Sequence, residues 1–348
     1  MQTINELLKS KTPAWCAGTG KDNDVVVSTR VRLARNFAAE RFPVKQDDEE
    51  AMRVWKRVLD FTQAHPSYSF YRLDTTSQSE KDGLVASHLI SPEHGREDER
   101  KRAVVLNEDL SQSIMVNEED HLRMQVFRSG LDLGDAWQEA SALDDKLAQH
   151  GDYAFTNAFG YLSSCPTNLG TGLRASVMLH LPVLAQSNKR GALQQVGKMG
   201  LTLRGFQGEG SEATGNLYQL SNQVTLGRSE EDILAGLGAA TKQIVGLERA
   251  LREALLKNKT ALSDQCYRAL GNLAYARRLT SKEAYALLST VRLGVSLSLV
   301  EGLSLETIDA LLIKVHPGYV SFEKGAPLNE EERDIHRANL VRKELLPH

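Results

Sequence analysis

From Asp24 to about Leu226 the apolar residues fall into short runs between turn residues, and within the runs apolar and polar positions alternate. A period of two places successive side chains on opposite faces of a β-strand. Val25–Leu33 therefore reads as a strand with Ser28, Arg30 and Arg32 on one face and Thr29, Val31 and Leu33 on the other. Ala103–Leu106, Ser111–Asn117 and His121–Phe127 read as three successive strands joined by polar turns at 107–109 and 118–120, which predicts an antiparallel meander. Arg174–Leu181 alternates again, and Leu217–Leu220 with Gln223–Leu226 reads as a hairpin turning at Ser221-Asn222. Helical spacing interrupts the strands at Glu49–Ala64, through Met52, Trp55, Val58, Leu59 and Thr62.

After Gly227 the rhythm is helical. Ser229-Glu230-Glu231-Asp232 is a capping signature for a long helix to about Asn258, with Ile233, Leu237, Ile244, Leu247, Leu251 and Leu255 along one stripe. Thr280 and Asn329 open further helices, and Leu262–Arg278 and Leu305–Val315 fill the space between. Short-turn strands with helices among them predict an α+β fold, an antiparallel sheet flanked by helices, followed by an all-helical module. The expected division is residues 1–256 and 257–348, the second a candidate for dimerisation.

Composition narrows the function classes. Lys and Arg total 42 against 45 Asp and Glu, a formal charge of −3, so bulk electrostatics favour neither a nucleic-acid coat nor a membrane-surface binder. Cys16, Cys165 and Cys266 lie far apart with no CxxC, which fits free thiols and a reducing compartment and provides no zinc site. No basic leader precedes an apolar core and no run approaches the length of a membrane span, so a cytoplasmic protein is expected.

Chemistry concentrates in a few segments. Cys165–Arg174 sets a proline-constrained thiol, Gly170, Gly172 and Arg174 within one strand approach. Glycines admit close backbone approach, and a thiolate is favoured where cations crowd it. Arg30 and Arg32, two apart on one strand, project from one side about 6.6 Å apart, a spacing suited to successive phosphates. Arg123 shares a face with His121 and Gln125, and Arg204 opens a Gly-rich loop. Phosphoryl transfer needs little else from a protein than cations on the moving group and a positioned nucleophile. Other nucleotide motifs fail: Gly191–Met199 is one residue too long for a P-loop and has Met where Ser or Thr must meet magnesium, and no glycine triplet has the dinucleotide-binding spacing.

Ser28-Thr29-Arg30-Val31-Arg32, Asn117–Arg123, Cys165–Arg174 and Arg204–Glu209 resemble, in order, the motifs of the phosphagen (guanidino) kinases. The resemblance implies a fold of the glutamine-synthetase and guanidino-kinase type, with Mg2+ and ATP as cofactors and the metal held largely by phosphates and water. It implies that Arg30, Arg32, Arg123, Arg174 and Arg204 hold the ATP phosphates, in a nucleotide site completed by Ser28, Thr29, Val31, His88, Ala175, Ser176, Val177, Met178, Gly205, Phe206, Gln207, Gly208 and Glu209. Glu119 and Glu209 match the glutamates that grip the guanidinium acceptor, Glu119 as base, and Cys165 matches the cysteine beside it.

Within the family the chain is most similar to the bacterial protein-arginine kinases. Small-guanidine kinases carry a helical domain before the Ser-x-Arg-Val-Arg motif, and here 27 residues precede it, which implies an acceptor arginine on a polypeptide. The tail Arg333-Asp334-Ile335-His336-Arg337-Ala338 resembles that branch's phosphoarginine-reading motif: Arg333, Asp334, Arg337 and Ala338 form an expected allosteric site. Expected partners, by the same resemblance, are a heat-shock repressor, unfolded proteins bound for a Clp protease, a zinc-binding activator and a second copy of the chain. A kinase for a small free guanidine and a non-catalytic phosphoarginine-binding adaptor are the alternatives.

Overall fold

The computed structural model describes residues 2–96, 100–187, 191, 193, 197, 200–205 and 214–346. Its frame is an eight-stranded antiparallel sheet: β1 (Val26–Arg35), β2 (Tyr68–Arg72), β3 (Ala103–Asn107), β4 (Gln112–Val116), β5 (Leu122–Ser129), β8 (Leu173–His180), β9 (Leu201–Gly205) and β10 (Leu217–Asn222), in the order β2-β3-β4-β5-β1-β8-β10-β9. A separate hairpin pairs β6 (Phe155–Thr156) with β7 (Gly160–Tyr161). The predicted meander is present as β3, β4 and β5. The predicted hairpin at 217–226 is not: Leu217–Asn222 is one strand between β8 and β9, and Val224 to Leu226 leave the sheet. Ser221-Asn222 continues the strand because Asn222 is tied to β8, its side chain accepting from Ala175 N at 2.8 Å and donating to Leu173 O at 3.0 Å.

One sheet face is apolar. Val31, Leu33, Met124, Val126, Ala175, Val177 and Leu220 form a core with α2 (Asp48–Ala64), α4 (Leu133–Ala148) and α5 (Glu230–Leu255). Asp47, with Glu50, makes a capping box at the start of α2, and Ser229 caps α5 as read from the sequence. The buried stripe of α2 runs through Ala51, Val54, Trp55, Val58 and Phe61, so Met52 and Leu59 of the expected stripe face solvent instead. In α5 the buried stripe is mainly apolar through Val245; further on it buries Glu248 and Arg252, with Leu247 and Leu251 partly buried against the core and Leu255 exposed.

The other face has two zones. Toward β3 and β4 it is apolar, and Val104, Leu106, Met115 and Phe127 pack with α1 (Ile4–Ser10), Trp15, α3 (Gln78–Ala86) and the C-terminal helices α6 (Lys259–Tyr275), α7 (Ser281–Ser296), α8 (Leu305–Lys314), α9 (Pro317–Lys324) and α10 (Glu330–Leu345). Thr280 and Asn329 cap α7 and α10. Toward β1 and β8 the same face is polar. Among the described residues no helix is long and apolar enough to cross a membrane.

Candidate active site

The strand register assembles the polar zone. Arg32 lies opposite Arg174 on one side and Gln125 on the other, Arg30 opposite Ser176 and Phe127, and Ser28 opposite Met178; Arg204 on β9 lies opposite Gln219. Directly opposed residues of antiparallel strands share a face, so cations far apart in sequence are brought together. The alternating members of the same motifs, Thr29, Val31, Ala175 and Val177, point into the opposite core, as the period of two requires. Thr29 does local work there, its hydroxyl donating to Gly130 O at 2.7 Å.

The electrostatics are those of a cradle for a polyanion. Burial, with Arg123 and Arg174 beside it, pushes the Arg30 guanidinium down to about 10. Burial and then Arg30, Arg123 and Arg174 push Arg32 well down, with Glu118 opposing. Arg32 Nε is buried with no hydrogen-bond partner, and among the described residues neither Arg30 nor Arg32 has an ion pair. Half-buried guanidinium groups that crowd one another without an anion are held at a cost that a polyanion would relieve, so these residues fit a triphosphate. Beside them a cleft of about 380 Å³ is lined by Trp15, Ser28, Arg30, His88, Phe127, Ser176, Met178 and Gln219. His88 has a left-handed backbone (φ 61°) and packs edge-on to Trp15; burial, with Arg30 next, pushes its imidazole down to about 3, so it is neutral at physiological pH. Sequence reasoning found His88 but not Trp15, Phe127 or Gln219, which lie outside the motifs.

Glu119 sits in the turn between β4 and β5. Asn117 enters that turn with φ 57° and anchors it by donating to Ala51 O and Lys101 O. Glu118, which the sequence reading passed over, is buried: it takes a 2.6 Å ion pair from Arg123 and a hydrogen bond from Ser91. Burial alone would raise its carboxyl, but Arg123 and Ser91 hold it down at about 2. Glu119 is left with the opposite environment; burial and the adjacent Asp120 raise its carboxyl, against the pull of Arg123. Asp120 Oδ1 accepts from Asn36 Nδ2 and from Ser164 N, both at 2.7 Å, and so clamps the 163–165 segment to this turn. Cys165 thereby lies close enough to Glu119 for its thiol to oppose the rise of that carboxyl, and its Sγ is 3.0 Å from Thr167 Oγ1.

The folded pKa of Glu118 is depressed from 4.5 to about 2, so its contribution to stability is complete above 4.5 and is lost as pH falls toward 2. That contribution is roughly 3 kcal/mol. Glu118→Gln should therefore flatten the fall of Tm between pH 4.5 and 2; an acid profile parallel to that of the parent would refute the assignment.

The glycines read from the sequence have defined tasks. Gly172 (φ 65°) lies where a Cβ would meet Arg35 Nη1 at 2.6 Å and Ala34 O at 2.7 Å. Arg35 is itself fixed, paired with Asp144 at 2.7 Å, donating to Thr171 O and stacked 3.5 Å from the Tyr161 ring centroid. Gly172→Ala should cost about 1–3 kcal/mol, from left-handed strain and overpacking, and displace Arg174. Thermal unfolding checks the first effect and nucleotide titration the second.

Phe206, Gln207, Gly208 and Glu209 lie outside the described residues, so Arg204 and Gly205 are the members of that motif whose placement is given. The tail residues lie on α10, far along the chain from this site. Arg337 is almost wholly buried, donating to Val315 O, Leu279 O and Asp334 Oδ1 at 2.6–2.7 Å; Arg333 donates to Leu328 O, and Ala338 is in the core. Among the described residues no group of three or more His, Cys, Asp or Glu could hold a metal ion.

Known proteins resemble this chain over most of its length. Residues 50–251 match the family described as ATP:guanido phosphotransferase, C-terminal catalytic domain, and residues 259–348 match the protein-arginine kinase McsB C-terminal domain. A protein-arginine kinase of Halothermothrix orenii is 43% identical over 347 residues, 99% of each chain. One from Desulforamulus reducens is 46% identical over 351 residues, covering 99% of this chain and 98% of that one. Among solved structures, a lombricine kinase superposes with a TM-score of 0.61 at 24% identity, over 72% of this chain and 76% of that one, a likeness of fold. The duplicated taurocyamine kinase of Schistosoma mansoni gives 0.59 at 25% identity, over 80% of this chain and 40% of that longer one. The chain belongs to the protein-arginine kinases of the ATP:guanido phosphotransferase family.

Proposed function

We propose that this chain transfers the γ-phosphoryl group of ATP to arginine side chains of proteins. The observation that carries the reading is the meeting, on one sheet face, of Arg30, Arg32 and Arg174 with Arg123, at the edge where Glu119 and Cys165 adjoin. The arginines take the triphosphate; Mg2+ would accompany it, held by phosphate and water because no described carboxylate cluster could hold it, and would offset charge on the transferred group. A guanidinium is protonated and a poor nucleophile. Glu119 accepts its proton as the N–P bond forms and the bond from the γ-phosphorus to the bridging oxygen breaks, releasing ADP. Cys165 and, as the motif implies, Glu209 orient the guanidinium.

The reading extends to the rest of the chain. Residues 1–256 act as the catalytic unit and 257–348 as the unit for dimerisation and phosphoarginine sensing through Arg333, Asp334, Arg337 and Ala338. For a phosphoarginine to be read there, the Arg337–Asp334 pair must open, the arginine turning to phosphate and the aspartate to guanidinium. The partners are cytoplasmic: a heat-shock repressor, a zinc-binding activator, and unfolded proteins bound for a Clp unfoldase.

The test is incubation of the full chain with Mg-ATP and either an unfolded arginine-rich protein or free arginine, with phosphate mapped at neutral pH to preserve N–P bonds. Phosphoarginine on the polypeptide, lost in Arg32→Ala, is the expected result. Transfer to free arginine alone would return the chain to the small-guanidine kinases.

A further inference from the structure

The Cys165 segment is flanked on both sides by exposed apolar side chains. On one side is the β6–β7 hairpin, whose Phe155 and Phe159 are 54% and 53% exposed. Tyr161 N donates to Gly170 O at 2.9 Å, joining this hairpin to the base of the Cys165 loop. On the other side is the chain leaving β10, where Val224 and Leu226 are 47% and 46% exposed. Thr225 Oγ1 lies 2.9 Å from Thr167 O and 2.6 Å from Leu169 O, and a Cβ on Gly170 would be 2.9 Å from Leu226 Cα. Residues 167–170 are thus sandwiched between two carriers of unburied large apolar residues. The other exposed large hydrophobics of the described residues lie away from this loop in sequence, Met52 and Leu59 on α2, Tyr267 and Tyr275 on α6, and Val44, Leu255 and Ile335 singly.

Both carriers are rigidly placed. Phe155 packs edge-on to Tyr161, with centroids 5.3 Å apart, and Tyr161 stacks on the Arg35 guanidinium that Asp144 holds. Holding four apolar side chains in water on braced backbone is unfavourable unless something covers them.

We propose that Phe155, Phe159, Val224 and Leu226 form an apolar rim that binds the residues flanking the acceptor arginine, and so selects arginines in unfolded polypeptide. The inference rests on the reading of Glu119 and Cys165 as the acceptor site, because it is continuity with that site that names the occupant. A folded protein keeps its apolar residues inside and presents arginine among polar neighbours. An unfolded segment presents both at once, and the rim engages such neighbours on either side of the arginine.

Two labelled peptides of equal length and charge, each with one arginine flanked by Leu and Phe or by Ser and Gly, test the rim. Binding is read by fluorescence anisotropy without nucleotide, and phosphoarginine formation is read separately with Mg-ATP. The full chain should prefer the apolar-flanked peptide on the order of tenfold, the effect of burying part of two side chains. Phe155→Ser/Phe159→Ser and, independently, Val224→Ser/Leu226→Ser should each reduce that ratio several-fold. Equal binding of the two peptides by the parent, or an unchanged ratio in both variants, overturns the rim. An unchanged ratio with a fall in oligomer mass overturns it in favour of a second copy as the occupant. Preferential binding without phosphoarginine would sink the proposed function and leave the four residues as a peptide-binding patch with no acceptor arginine to select; equal phosphorylation of two equally bound peptides would overturn the rim and leave the proposed function standing.

Discussion

Glu119→Gln is expected to lower phosphoryl transfer to protein arginine on the order of 10³-fold, the usual effect of removing a positioned general base. Nucleotide binding should persist, because the arginine cradle does not depend on this carboxylate. Burial and the neighbouring Asp120 raise the Glu119 carboxyl above its ordinary 4.5. Only the ionised form can take the acceptor's proton, so kcat/KM should fall as pH drops through that raised value, on an acidic limb lying above 4.5. In Glu119→Gln that limb should vanish along with most of the rate. Glu118 and Glu119 are neighbours with contrasting chemistry: Arg123 and Ser91 lock one as an anion, and burial keeps the other ready for a proton. A Glu119→Gln enzyme working near the parent's rate would remove the residue from this role.

Asp309→Ala should have the largest effect on stability, about 3–5 kcal/mol. Asp309 on α8 is wholly buried and pairs with both Nε and Nη2 of Arg292 on α7, at 2.7 and 3.2 Å. Arg292 also donates to Asn23 O and Asp24 O, and Arg252 of α5, paired with Glu248 at 2.7 Å, donates to Asp24 O as well. Asp24 lies just before β1, so the C-terminal helices grip the chain immediately ahead of Arg30 and Arg32. Removing the carboxylate leaves a buried guanidinium uncompensated. For a chain of this size the cost is a fall in Tm on the order of 5 °C. Adding Arg292→Met to Asp309→Ala removes the orphaned charge, so the double variant should recover most of the loss. A single variant within about 1 kcal/mol of the parent would show that water reaches the pair.

Much of the catalytic sheet was legible because its signals are local. Alternation in Ser28–Arg32 depends only on strand geometry, and it correctly separated the arginines from Thr29 and Val31. The caps at Ser229, Thr280 and Asn329 are likewise short-range, a side-chain oxygen meeting an amide three residues on. Motif order carried the family, and full-length relatives agree.

What the tertiary structure decided was every relation between segments. Alternation says which side of a strand a residue takes but not what lies across from it, so the pairing of Arg32 with Arg174 emerged only from the register. The false hairpin at Ser221-Asn222 shows the same limit, since a turn-prone pair stays extended when Asn222 satisfies two β8 backbone groups. Asp120's hold on Ser164, and the burial of Glu118, Arg252, Arg292 and Asp309, are likewise invisible locally. In sequence these are charged residues that water would solvate at little cost; only the closed fold removes the water and makes each partner obligatory.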